Sequence, residues 1–170
     1  MLFRSKLYRK RIINDIRFQS LSYSEDFLFN FEVHKNAQRK LVLSDVFYYY
    51  VDNPGAAVSA PFNEKKLDIL KAGEMILDFD IVKRNQHFES YVLLYLLKNA
   101  LTLSYQANQN DITETERSQY LKFLIGKFRQ YYAKISYSEI VKHYGWKAAV
   151  AYLLFSLKPY TYLEIRGKQH

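Results

Sequence analysis

Between Pro61 and Pro159 the chain carries no proline, and apolar residues recur through that stretch three and four positions apart. Proline both locks φ and removes a backbone donor, so its absence lets helices run unbroken. The spacing predicts helices over 63–83, 88–106, 113–134, 136–143 and 146–157. Glycine punctuates this stretch only three times, at Gly73, Gly126 and Gly145.

The residues before Pro61 read differently. Leu7, Tyr8, Arg11 and Ile12 fit a short helix over 6–14, and Phe27, Leu28 and Phe31 fit another over 24–38. Residues 40–44 and 46–51 are β-branched and aromatic, which predicts two short extended segments. Asp52-Asn53-Pro54-Gly55 then marks a turn. The expected fold class is therefore α+β and mostly α. A small mixed α/β piece over 1–60 precedes a helical region over 61–170.

With 170 residues, 49% of them hydrophobic, the chain can bury a core without staples. The absence of cysteine excludes disulfides and thiolate metal sites. Its five glycines stand apart, so neither a Rossmann nor a Walker phosphate loop is present. His34, His87, His143 and His170 are too scattered to form a helical zinc pair.

The net charge is +8, and the first 20 residues hold six basic side chains against the single acid Asp15. Such a cluster suits phosphates of any kind, or a solvated surface. No nucleic-acid recognition motif accompanies it, so nucleic acid is not an expected partner. The opening Leu2-Phe3-Arg4-Ser5-Lys6-Leu7-Tyr8 is too basic for a secretory signal. The longest apolar run, residues 148–157, is half the ~20 residues a bilayer-crossing helix needs.

Two constellations carry acids. In Ser22-Tyr23-Ser24-Glu25-Asp26-Phe27-Leu28-Phe29 adjacent carboxylates open a predicted helix. Ser22 and Glu25 have the spacing of a capping box, and acids in a first turn also complement the helix dipole. Asp78-Phe79-Asp80 has the D-x-D spelling of a metal site. In a continuous helix those two aspartates point about 200° apart, which prevents shared chelation. No metal ligand is assigned.

Around the first constellation the order is Lys6-Leu7-Tyr8-Arg9, Ile16-Arg17-Phe18, Glu25-Asp26-Phe27-Leu28-Phe29, Lys40-Leu41-Val42, Tyr48-Tyr49-Tyr50 and Ser59. This series resembles the second half of a family 2 glycosyltransferase, and it spans about a third of the chain. The resemblance implies a partial GT-A fold with one or two short strands. It implies that Asp26 is the general base of an inverting transfer, with Glu25 supporting it or binding the acceptor. Lys6 and Arg9 would approach the donor diphosphate or pair with acids. Arg4 stands where the family often has Trp, and Val51 where Arg commonly follows the tyrosines.

The family's donor-binding strands and metal-binding D-x-D would precede Lys6. The expectation is thus a carboxy-terminal portion, inactive alone and binding no cofactor by itself, with magnesium or manganese expected for the complete enzyme. Its partners would be a nucleotide sugar and a glycan acceptor in bacterial surface polysaccharide synthesis. The rival expectation is a non-enzymatic basic helical module for a membrane surface or a protein partner.

Two stripes bear on the membrane. Leu121, Leu124, Ile125, Phe128, Tyr132 and Ile135 share one helical face flanked by lysines, and Trp146 to Leu157 followed by Lys158 forms a second. Each suits either core packing or an anionic membrane surface. The expected location is cytoplasmic, with peripheral attachment to the inner face of the cell membrane as its variant.

Overall fold

The computed structural model describes residues 6–44, 49 and 60–167. Its helices are α1 (Lys10–Ile13), α2 (Glu25–Asn36), α3 (Asp68–Leu77), α4 (Asp80–Lys83), α5 (Gln86–Gln109), α6 (Glu114–Tyr132), α7 (Tyr137–Leu157) and α8 (Pro159–Gly167). A 3-10 turn, Glu64–Leu67, leads into α3. No strand occurs among the described residues.

That absence corrects the α+β expectation and its partial GT-A piece with short strands. Residues 40–44 are irregular, with Leu41, Val42 and Leu43 exposed. A strand needs a neighbour to take its backbone hydrogen bonds and a face to bury, and β-rich composition supplies neither. The second expected segment, 46–51, lies outside the described residues apart from Tyr49, as does the turn at 52–55.

The core is built around α5, whose Val92, Leu93, Leu96, Leu97, Ala100 and Leu103 are buried. Asn85 starts it by accepting from the His87 and Phe88 amides at 3.1 and 3.2 Å. The four residues after α5 turn the chain so that α6 packs along it more extensively than any other helix pair. Thr113 and Glu116 close a reciprocal capping box at the start of α6, which satisfies donors a helix end leaves open. Leu121, Leu124, Ile125 and Phe128 then point into the core.

Two boundaries differ from expectation for physical reasons. The helix expected over 63–83 breaks at Phe79, whose backbone is extended (φ −68°, ψ 134°). That break lets the Phe79 ring stack on Phe31 of α2 at 5.5 Å, under the Lys35 ammonium at 4.5 Å. The pair expected at 136–143 and 146–157 is found as the two halves of α7, meeting at a kink at Gly145 (φ 81°) as expected. Helix α8 was not expected, because Pro159 reads as a stop. It occupies the first helical position, where its missing N–H costs nothing.

Helix α2 is gripped on two sides. Leu28 enters the main core, whereas Phe29 and Val33 form a smaller cluster with Ile16. Tyr8, Ile12 and Ile13 pack on that cluster, and Phe18 stacks on Phe29 at 4.4 Å. The basic N-terminal segment is thereby held against α2.

Candidate functional site

The Glu25–Asp26 pair occupies the first turn of α2. The capping box expected from Ser22 and Glu25 is not formed. Ser24 is the N-cap, in the left-handed region (φ 63°), with no side-chain bond to the helix amides. The Ser22 amide instead donates to Asp68 Oδ2 at 2.7 Å. The Ser24 hydroxyl instead shares a 3.1 Å hydrogen bond with the Tyr95 hydroxyl of α5. Tertiary partners have therefore taken the groups that local capping would use.

Asp26 is half-buried, and its side chain makes no hydrogen bond to another described residue. Its charge is felt by groups from two distant segments. Burial pushes the Lys6 pKa down while the Asp26 carboxylate pulls it back up. Burial raises the Tyr8 pKa, and Asp26 raises it further. Tyr95 is raised by burial, lowered by its bond to Ser24 and raised again by Asp26. Lys6, Tyr8, Asp26 and Tyr95 thus share one neighbourhood.

The remaining residues named by the sequence fall as follows. Glu25 is half-buried at the first helical position beside Asp26. Arg9 is exposed at the start of α1, where its carbonyl accepts from the Ile12 amide at 2.9 Å. Tyr8 donates its hydroxyl to the buried Asn30 Oδ1, leaving Asn30 Nδ2 without a partner among the described residues.

Two open depressions lie elsewhere on the surface, and neither Glu25 nor Asp26 lines them. One, of about 550 Å³, is lined by Tyr23, Asn63, Glu64 and Lys65. The other, of about 420 Å³, lies between α5 and α7 and includes Tyr91, Tyr95, Lys98, Asn99 and His143. Tyr23 also faces the buried Lys66, whose ammonium lies 6.0 Å from the ring centroid. Lys66 donates to the Ala60 carbonyl and, at 3.3 Å, to Gln106 Oε1. Sequence reasoning missed Tyr95 and Lys66, because no local pattern links Tyr95 to a serine 71 positions earlier.

No three acids and histidines among the described residues are placed to hold an ion. The helix breaks between Asp78 and Asp80, contrary to the continuous helix used to separate them, yet each faces a cation. Asp78 pairs with Lys83 at 3.2 Å and Asp80 with Arg84 at 4.0 Å. Among the described residues no helix is long and apolar enough to cross a membrane. Comparison with models of protein families, with characterised proteins and with solved structures finds no match to this chain.

Proposed function

We propose that this chain is the acceptor-side part of an inverting family 2 glycosyltransferase acting in bacterial surface polysaccharide synthesis, with Asp26 as its general base. The proposal starts from the motif series between Lys6 and Ser59 and does not require strands in this part of the protein. One observation carries it beyond the motif. Asp26 sits in the first turn of α2, whose start is tied to Asp68 and to Tyr95 of α5 through Ser22 and Ser24, and its charge acts on Lys6, Tyr8 and Tyr95 from two other segments.

A rigid helix start suits a general base, which must hold a carboxylate oxygen within ~2.6–3.2 Å of the proton it removes. Asp26 takes the proton of an acceptor hydroxyl as that oxygen attacks the anomeric carbon of the sugar. The new C–O bond forms on the face opposite the departing nucleoside diphosphate, and configuration inverts. Glu25 assists by binding the acceptor or holding Asp26. Lys6, whose pKa the Asp26 charge raises against burial, contributes positive charge on this side of the chain, and Arg9 extends it toward solvent. Lys6 and Arg9 approach the donor diphosphate or pair with acids, and the nucleotide and metal are held by residues other than those described.

The test is Asp26→Asn introduced into the chromosomal copy in the source cell. Loss of the surface glycan, with the purified variant keeping its melting temperature, is the expected result. An unchanged glycan overturns the assignment.

A further inference from the structure

The two lysine-flanked stripes have opposite fates. The stripe on α6 is spent on the core, since Leu121, Leu124, Ile125 and Phe128 are buried. The second half of α7 is apolar on both sides. Ala149, Tyr152 and Phe155 face inward and are buried. Trp146, Val150, Leu153, Leu154 and Leu157 face outward, with exposures of 64%, 39%, 39%, 52% and 66%. At 100° per residue these five fall within one arc of about 100°. A helix that is apolar all round calls for a second cover.

We propose that this outward face docks on an anionic lipid bilayer. The charge pattern selects that occupant. Lys147 and Lys158 lie along one edge of the arc, and no carboxylate occurs from Gly145 through Leu163. The Lys147 ammonium sits 5.8 Å from the Trp146 ring centroid, so cation and aromatic ring share the rim of the patch. Exposed Trp146 and Tyr160 bracket the strip. That is the arrangement of an interfacial helix, with amphipathic rings at headgroup depth and lysines reaching the phosphates. Helix α7 is not apolar enough to span, so the strip lies in the membrane plane. Docking is independent of the chemistry assigned to Asp26.

Trp146 is the only tryptophan in the chain, so its fluorescence reports this face alone. The chain is titrated with vesicles of phosphatidylcholine mixed with phosphatidylglycerol, and with vesicles of phosphatidylcholine alone. A blue shift with the anionic vesicles, quenched by brominated acyl chains, is expected. Lys147→Gln with Lys158→Gln weakens binding roughly 25-fold, at about fivefold per lysine near an anionic surface. Leu154→Ser with Leu157→Ser changes exposed positions, keeps the helical circular dichroism and weakens binding roughly tenfold per leucine. Equal binding to neutral vesicles overturns the proposal, as does no shift with either. A lipid-free blue shift that grows with protein concentration also overturns it, by assigning the face to a second copy of the chain.

Discussion

Ser24, the N-cap of α2, and Tyr95 on α5 share a hydroxyl–hydroxyl hydrogen bond of 3.1 Å across 71 residues of sequence. One residue pair thus joins the acid-bearing helix start to the central helix. Phe27, one turn further along α2, stacks on the same Tyr95 ring at 4.5 Å. The position of Asp26 therefore depends on α5 as much as on α2.

Removing the hydroxyl with Tyr95→Phe keeps the ring stack and is expected to cost about 0.5–1.5 kcal/mol. Ser24→Ala should cost a similar amount, because Ser24 makes no side-chain cap whose loss would add to it. The double variant is then expected to be little worse than either single one, with a coupling energy near that of the bond. Urea denaturation of the four proteins measures it.

Glu74 on α3 is a polar hub facing α6. Its Oε1 accepts from Lys127 Nζ at 2.6 Å and from the Tyr131 hydroxyl at 2.7 Å. Tyr131 is only 2% exposed. Glu74→Ala leaves that buried hydroxyl unpaired and is expected to cost about 2–3 kcal/mol, more than Lys127→Ala at a partly exposed site. Thermal melts of the two variants give the ordering.

Two glycines in helices make opposite forecasts. A Cβ on Gly73 would lie 2.6 Å from Leu96 Cδ2 and 2.9 Å from Cγ, in a part of the core where Leu96 is fully buried. Gly73→Ala therefore overpacks α3 against α5 and is expected to destabilise by about 1–3 kcal/mol despite better helix propensity. Gly126 has nothing within 4 Å of its added Cβ. Gly126→Ala should stabilise by about 0.5–1 kcal/mol. Melting temperatures moving in opposite directions check both.

Alkali should unfold this protein through its buried tyrosines. Burial, with a bond to the Glu74 carboxylate, raises the Tyr131 pKa far above that of a free phenol, and burial raises Tyr152 likewise. In the unfolded chain both ionise near pH 10, so above that pH the unfolded state binds fewer protons and stability falls as pH rises. Each such tyrosine contributes up to about a tenfold loss in the folding constant per pH unit. Tyr131→Phe should flatten the decline in melting temperature above pH 10, with phenolate absorbance as the check.

Much of the helical layout was legible because its signals are local. The apolar spacing of Leu121, Leu124, Ile125 and Phe128 marks a helix face, and Thr113 and Ser136 stand as the N-caps of α6 and α7. Gly145 marked the interruption in α7 because only glycine adopts φ 81° cheaply. Local signals misled where a distant partner outbid them. Ser22 and Glu25 have capping spacing, but Asp68 takes the Ser22 amide. Leu67, Leu70, Leu77 and Ile81 continue a helical pattern, but Phe79 turns out of it to meet Phe31.

The candidate site divides the same way. Adjacent acids at a helix start and a basic segment before them are visible by inspection, but their meeting is not. Lys6 reaches the neighbourhood of Asp26 because Ile12, Ile13 and Ile16 dock the N-terminal segment on Phe29 and Val33.

By itself, the amino-acid order determined most of the helical segments, though not the break at Phe79 or α8, since a helix depends mainly on side chains three or four positions apart and on the absence of proline. Tertiary structure alone decided that residues 40–44 form no strand, that Tyr95 anchors Ser24, and that the α6 stripe is buried while the α7 face stays exposed. Burial is a competition among all apolar faces for a limited interior, and its outcome is written in no single segment.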